Sequence, residues 1–189
     1  MLFKRKINTN STDEELMSLV QKNNRKAFSM LYDRYSNKLL KFFYYRLNFD
    51  ADSANDFLQD LFLKIVEKPH LFDLNKSFSA WIYSVAINII RNEYNKQSVR
   101  SNLMDLYLRD SESSITINGE ADDFLHNLEV ELELLKPIDK EIFKLRYSDE
   151  LSIREIAEIV DIAEGTVKSK LFYTQKKLSE KLYMFDPKY

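Results

Sequence analysis

The sequence predicts an all-α protein made of two small helical domains with a flexible linker between them. Apolar residues recur every three or four positions along most of the 189 residues, which is the spacing of amphipathic helices. Glycine occurs only twice and proline three times, so few sharp turns are available. The one short candidate for a strand, residues 115–117, lies in the predicted linker.

Three helices are predicted before Pro69. Thr12 and Glu15 form a Thr-x-x-Glu capping box at the start of the first helix. The second helix is long, because its apolar stripe continues from Ala27 to Leu47. A break at residues 50–52 precedes the third helix, whose apolar positions are Ala54, Phe57, Leu58, Leu61, Phe62 and Ile65.

A loop and a fourth helix complete the first predicted domain, residues 1–98. Pro69 ends the third helix, because proline lacks a backbone donor and restricts the residue before it. Residues 70–76 form the loop, and Ser77 or Ser79 caps a helix that runs to about Lys96. The residues expected to face inward from this helix are Trp81, Val85, Ile89 and Ile90.

Residues 99–125 are predicted to be the linker. They are polar, with two basic and six acidic side chains, and their apolar residues do not keep a helical period. Such a composition fits a segment that is mobile or one that lies across a surface.

Residues 126–189 form the second predicted domain. Helical spacing restarts at Phe124, just before this domain, and continues through Leu128 and Leu132, and Pro137 suits the first position of the next helix. Ser152 and Glu155 form a second capping box at the start of a short helix. A turn at residues 161–163 separates this short helix from a longer, basic one. Two helices joined by so short a turn predict a helix-turn-helix domain.

The long last helix has two different faces. Its apolar stripe consists of Val167, Leu171, Leu178 and Leu182, and its other side carries lysines, a hydroxyl and two aromatic rings. These groups suit a helix in the major groove of DNA, where lysines bind phosphates and the other groups meet base edges. A charged amphipathic helix that packs on a neighbouring element would show the same pattern.

The composition excludes several kinds of chemistry. Cysteine is absent, so disulfides, thiol catalysis and cysteine-ligated zinc are excluded. No nucleophile–base pair or set of metal ligands is evident, so we expect a protein that is not an enzyme and takes no cofactor, metal or small-molecule substrate. The sequence has no apolar run of membrane-spanning length and no secretory signal, which predicts a cytoplasmic protein without membrane insertion.

The net charge of −2 leaves a nucleic-acid partner open. Residues 162–189 carry six basic and three acidic side chains, whereas residues 126–161 carry five and ten. Binding to a polyanion responds to the local field rather than to the total charge. Solvated helix faces would explain such charge runs equally well.

Segments of both domains carry a family resemblance. Residues 135–147 (LKPIDKEIFKLRY), 151–159 (LSIREIAEI) and 165–171 (GTVKSKL) resemble region 4 of bacterial RNA polymerase sigma factors, although response-regulator output domains share a looser form of this pattern. Residues 27–35, 54–66 and 78–88 resemble sigma region 2. Region 2, a short linker and region 4 follow one another without space for a further domain, which is the layout of the extracytoplasmic-function group.

The resemblance implies an alternative sigma factor that binds core RNA polymerase. Such a factor directs initiation to promoters by recognising the −10 and −35 elements and by promoting DNA melting. Region 2 would bind polymerase through the third helix, and the matching positions are Asp56, Gln59, Asp60 and Lys64. Three of these positions stand four residues apart on one helix face, although an ordinary solvated face would show the same spacing.

The resemblance assigns the −10 element to the loop and the fourth helix, where a non-template base is flipped out and held. The matching positions are Asn75, Lys76, Ser77, Phe78, Trp81, Asn88, Arg91 and Asn92. Polar side chains there would bond a base or phosphate, and Phe78 is expected to offer a ring on which a base stacks. Trp81 fits either a base contact or the core, because it lies on the same stripe as Val85.

The resemblance assigns the −35 element to the last helix. The matching positions are Thr166, Lys168, Ser169, Lys170, Phe172, Tyr173, Lys176 and Lys177. Two departures from the family matter. Ala163 stands where relatives often have Ser or Pro, so the usual cap is missing. Residues 173–175 replace an arginine-rich run, which predicts fewer bidentate contacts to guanine.

The resemblance also implies an anti-sigma partner, which no residue of this sequence identifies. Two other hypotheses remain open at this point. A conventional helix-turn-helix regulator that is not a polymerase subunit predicts dimerisation and a palindromic site, and it leaves the region 2 resemblance without a role. A helical scaffold without a nucleic-acid partner predicts no salt-dependent affinity for DNA.

Overall fold

The computed structural model describes residues 10–47, 49–104 and 120–182, and these ranges form helices with no strand. The all-α prediction is therefore confirmed for this part of the chain. The chain divides into two compact units, residues 1–102 and 103–189. The helices are α1 (Asp13–Val20), α2 (Arg25–Arg46), α3 (Ala51–Glu67), α4 (Phe78–Met104), α5 (Glu120–Glu133), α6 (Pro137–Tyr147), α7 (Ile153–Val160) and α8 (Glu164–Leu182).

Short-range caps fix where the helices begin. Both predicted capping boxes are present, at Thr12 before α1 and at Ser152 before α7. Asp50 caps α3 and accepts from the Ser53 hydroxyl, and this bond holds the pKa of Asp50 below its ordinary value. Of the two serines considered for α4, Ser77 is the cap, since its hydroxyl oxygen accepts from the Ala80 N–H at 3.3 Å.

The core of the first unit forms where α1 and α3 pack on α2. Phe42 and Phe43 of α2 are fully buried and meet Tyr83 and Phe57 in edge-to-face contacts. Such aromatic pairs stabilise a core beyond their buried area. Asp13 joins α1 to α2, because its carboxylate binds both the guanidinium of Arg34 and the hydroxyl of Tyr35 at 2.5 Å.

The inward face of α4 differs from the predicted one. Trp81 and Val85 are only half-buried, whereas Ile89 and Ile90 are buried as predicted. The most buried positions of the described part of α4 are Phe78, Ile82, Tyr83 and Ala86. Phe78 lies on this observed inward face, where its ring packs edge-to-face against those of Tyr35 and Phe72.

Helix occupies both ends of the predicted linker. The α4 helix continues to Met104, beyond its predicted end near Lys96, and α5 begins at Glu120, before the restart predicted at Phe124. Residues 105–119, which include the candidate strand at 115–117, lie outside the described residues.

The second unit packs α5, α6 and α7 against α8. Leu178 and Leu182 of α8 form an apolar cluster with Leu132 of α5. The α7–α8 pair is the predicted helix-turn-helix, and its turn is residues 161–163. Asp161 makes this turn by adopting a left-handed backbone with φ 55°, which aspartate tolerates better than most residues. In the described ranges, no helix is long and apolar enough to cross a membrane.

Candidate nucleic-acid and protein interfaces

The outer face of α3 carries all four residues predicted to bind a protein partner. Asp56, Gln59, Asp60 and Lys64 are exposed. Sequence reasoning missed Leu63, which is 54% exposed and one turn from Gln59 and Asp60. Its position off the apolar stripe was the signal that it could not point into the core. The face therefore combines carboxylates with an apolar centre, which suits a helix that docks on another protein.

The loop between α3 and α4 presents short polar side chains. Asp73 accepts from the backbone N–H and the side-chain amide of Asn75, both at 3.0 Å. These bonds, the backbone one first, hold the pKa of Asp73 below its ordinary value. Lys76 closes the turn by donating its N–H to the Asp73 carbonyl. Asn75 and Lys76 are exposed, so the loop offers a polar, structured surface.

The position of Phe78 contradicts its predicted role as a stacking platform. The ring is fully buried and contacts Tyr35, Phe72 and Trp81 at centroid distances of 5.3, 5.4 and 5.7 Å. A base cannot stack on it in this structure. Trp81 is the half-buried member of the same aromatic cluster, and its ring lies 5.2 Å from that of Phe72.

The remaining predicted positions of α4 recur along one side of the helix. Asn88, Arg91 and Asn92 are exposed, and they continue the line of Ser77 and Trp81 at spacings of three, four and seven residues. Because α4 begins at Phe78, this side is continuous with the loop. The structure thus joins the loop and the helix into one surface of amides, a hydroxyl, a guanidinium and an indole edge, all of which can bond bases or phosphates.

Glu14 of α1 and Gln21, the residue at the C-terminal end of this helix, hold the ends of the loop. The side-chain amide of Gln21 donates to the carbonyls of Pro69 and Phe72, both at 3.0 Å. Glu14 accepts from the backbone N–H of Phe78 with its Oε1, also at 3.0 Å. Sequence reasoning missed both residues, since their partners lie 48 to 64 positions away and leave no local signal.

The outer face of α8 brings together seven of the eight residues predicted there. Phe172 and Tyr173 stand at its centre, 62% and 68% exposed, with their rings 5.4 Å apart. Thr166, Lys168, Ser169, Lys176 and Lys177 are exposed around them. The described helix carries five lysines against two glutamates, so its field is positive.

Lys170 differs from the other predicted residues of α8. It is half-buried, and its ammonium group lies 2.6 Å from Asp139 Oδ1 on α6. This residue, which the resemblance assigned to −35 DNA, is thus paired within its own domain. Sequence spacing could not indicate this, because Asp139 lies 31 residues away on another helix.

The described residues hold no group of three or more His, Asp or Glu side chains that could bind a metal ion. The surfaces described above carry hydrogen-bonding, cationic and aromatic groups and, on α3, carboxylates around the apolar Leu63. Hydrogen-bonding, cationic and aromatic groups of this kind can bind nucleic acid through its phosphates and bases.

Comparison with known proteins identifies both units. The model of Sigma-70 region 2 matches residues 31–100, and that of Sigma-70 region 4 matches residues 125–178. The "ECF RNA polymerase sigma factor SigW" of Bacillus subtilis is 31% identical over 180 residues, covering 86% of this chain and 92% of the relative. The "ECF RNA polymerase sigma-E factor" of Haemophilus influenzae is 27% identical, covering 90% of this chain and 95% of the relative.

Two solved structures share the fold. The chain of CnrH, solved with the cytosolic domain of CnrY, has a TM-score of 0.64 at 20% identity and covers 90% of this chain and 96% of its own. The sigma factor RpoE of Bartonella quintana, solved with the anti-sigma factor NepR, has a TM-score of 0.58 at 23% identity and covers 82% and 98%. At these identities the likeness supports the helical architecture alone.

Proposed function

The chain belongs to the extracytoplasmic-function family of RNA polymerase sigma factors, and we propose that it acts as an alternative sigma factor. It binds core RNA polymerase, directs it to a class of promoters and helps to open the duplex. The observation that carries the proposal is the order of the two matches, region 2 at residues 31–100 and region 4 at 125–178, each on a unit with an exposed polar face. A conventional helix-turn-helix regulator would not explain the match of the first unit to region 2.

Polymerase binding is assigned to α3. Carboxylates at positions 56 and 60 and the amide of Gln59 surround Leu63 on one exposed face. An apolar centre with a polar rim is the usual anatomy of a stable protein interface. We therefore add Leu63 to the four residues that the sequence predicted.

Recognition of the −10 element is assigned to the loop and α4. Asn75, Lys76 and Ser77 offer hydrogen bonds, and Trp81 rather than Phe78 offers a ring edge to an extruded base. Asn88, Arg91 and Asn92 continue the contact along the helix. Extruding a base costs a few kcal/mol, and capture of the base offsets that cost without ATP.

Recognition of the −35 element is assigned to α8. The first turn of this helix carries the exposed Thr166, whose hydroxyl can bond a phosphate, and the helix dipole favours an anion at this end. Lys168, Lys176 and Lys177 bind further phosphates, and Ser169, Phe172 and Tyr173 meet base edges. Lys170 is left out of this set because it pairs with Asp139.

The proposal also covers the protein's catalysis, location and regulation. The protein has no catalytic residues of its own, since the bond-forming chemistry of transcription belongs to the polymerase. It works in the cytoplasm, where polymerase and promoter DNA are found. Two proteins of the same fold were solved in complex with CnrY and with the anti-sigma factor NepR, so we propose that an anti-sigma factor holds this chain inactive.

The experiment that tests the proposal compares the protein with and without core polymerase on promoter fragments. The fragments are selected from host DNA by the holoenzyme, and permanganate reactivity detects unpaired thymines. We expect two protected elements and a reactive segment near the start site only when core is present. Protection of a palindrome by the free protein, with no reactive thymines, would instead establish a conventional dimeric regulator.

A further inference from the structure

We infer that Gln21 and Glu14 are positioning residues for −10 recognition, because they fix the two ends of the loop that reads this element. The inference rests on the proposed function and deepens it. It gives a role to α1, a helix that carries none of the predicted DNA contacts. The grounds are the hydrogen bonds that cross from α1 to the loop and the rigidity of α1 itself.

Gln21 fixes the first end of the loop. Its amide donates to two backbone carbonyls three residues apart, those of Pro69 and Phe72, in a part-buried setting. A single side chain that satisfies both carbonyls holds the chain between them in one conformation. The ring of Phe72 is then seated beneath the loop, where it contacts Phe78 and Trp81.

Glu14 fixes the second end of the loop. The N–H groups in the first turn of a helix lack partners inside the helix, and Phe78 provides the first N–H of α4. The carboxylate of Glu14 accepts this N–H at 3.0 Å, and Ser77 accepts that of Ala80. A negative charge at this end is also favoured by the helix dipole. The loop therefore meets α4 at a point that is tied to α1.

The α1 helix is a rigid support for both contacts. Leu16 and Met17 are fully buried, and Asp13 is tied to Arg34 and Tyr35 on α2. Anchors on a packed helix reduce the conformational freedom of the loop before DNA arrives. Such preorganisation raises affinity and selectivity, because less entropy is lost on binding.

The two anchors restrict the conformation of the exposed middle of the loop. Residues 73–76 lie between the two anchors, and the internal bonds of Asp73 close them into a turn. When an anchor is removed, this turn populates other orientations, and only one of them presents its polar groups to a flipped base. Loss of one or two hydrogen bonds of ordinary strength predicts a drop in base selection on the order of tenfold.

The test uses holoenzyme assembled from core polymerase and full-length variants. Gln21→Leu removes both donors at similar volume, and Glu14→Ala removes the acceptor. Glu14→Gln keeps an oxygen acceptor at the same length and serves as the conservative rescue. Lys22→Ala changes an exposed neighbour of Gln21 and is the matched control. The readout is the affinity ratio between a single-stranded −10 oligonucleotide and the same strand with its flipped base replaced.

We expect this ratio to fall on the order of tenfold in Gln21→Leu and Glu14→Ala. It should stay at the parent value in Glu14→Gln and Lys22→Ala. Affinity for core polymerase reports a purely structural effect and should remain close to that of the parent. The melting temperature of the free protein should fall by no more than the loss of one or two hydrogen bonds predicts.

Two results would overturn the inference. One is an unchanged ratio in Gln21→Leu and Glu14→Ala. The other is a joint loss of core affinity and base selection, which would mean that α1 only supports the fold. A parent holoenzyme that does not distinguish the two oligonucleotides would contradict the proposed function instead, so the two failures are separable.

Discussion

Lys170 of α8 is paired with Asp139 of α6, with 2.6 Å between the ammonium nitrogen and the carboxylate oxygen. Both side chains are mostly shielded from water, at 29% and 21% exposure. A shielded pair with good geometry stabilises more than a fully exposed one. Lys170 was predicted to bind DNA, but it links α6 to α8 instead. On α8, Lys170 therefore contributes to stability, whereas the exposed lysines remain available to bind DNA.

Replacement of Lys170 and of Lys168 by methionine should therefore affect different properties of the protein. Lys170→Met should lower the free energy of unfolding by about 1 kcal/mol. Lys168→Met should leave unfolding unchanged, weaken binding to −35 DNA and reduce the slope of log affinity against log salt by about one. Thermal denaturation and DNA titrations at several salt concentrations measure both quantities. Equal effects of the two variants on stability would contradict the assignment.

The start of α8 lacks a side-chain cap. The backbone carbonyl of Ala163 accepts from Thr166 and Val167, so Ala163 occupies the cap position. Ala163→Ser supplies a hydroxyl acceptor for the first-turn N–H groups and should stabilise the domain by about 1 kcal/mol. The expected observation is a higher melting temperature. Ala51→Ser is the matched control, because Asp50 already caps α3. An equal rise in melting temperature in Ala51→Ser would argue against a capping role for position 163.

Tyr173 stands where the family resemblance implies an arginine-rich run, and it is 68% exposed on the outer face of α8. Tyr173→Arg adds a guanidinium fork that can bond guanine through two acceptors. We expect the variant to gain about tenfold in affinity for −35 sequences with guanine at one position, relative to the parent. Tyr147→Arg adds the same charge on α6. If Tyr147→Arg raises the affinity for −35 DNA as much as Tyr173→Arg does, the added charge explains the increase and a base contact does not.

Leu63 is the apolar centre of the face assigned to polymerase. Leu63→Ala should weaken core binding by about tenfold, because buried apolar centres carry most of the energy of an interface. Competition between labelled parent and unlabelled variant for core polymerase measures this effect. Leu71 is similarly exposed, at 60%, but lies in the turn after α3. Leu71→Ala should bind core as the parent does, and a loss equal to that of Leu63→Ala would refute the assignment.

Local patterns were enough to predict most helices of the described chain. The Thr12 and Ser152 boxes, the break at Asp50 and the turn at residues 161–163 are all determined by residues within a few positions of one another. Helix spacing also places Lys168 and Phe172 on the outside of α8. Such features depend on short-range bonds and on periodicity, which the sequence displays directly.

Contacts between distant residues could not be predicted in this way. Phe78 resembles an exposed loop aromatic, yet its ring is buried against Tyr35 of α2 and against Phe72, which is six positions away in the chain. Lys170 resembles its neighbours, and only the packing of α6 on α8 brings Asp139 to it. The family resemblance assigned both residues to DNA. Tertiary packing instead buries the ring of Phe78 and pairs the ammonium group of Lys170.

Transcription by core polymerase on fragmented DNA from the host organism tests the central claim most directly. With this protein added, we predict a new set of transcripts whose start sites share two upstream motifs, one near −10 and one near −35. The same core without the protein should not produce them. An absence of new start sites, together with a failure to bind core polymerase, would contradict the account.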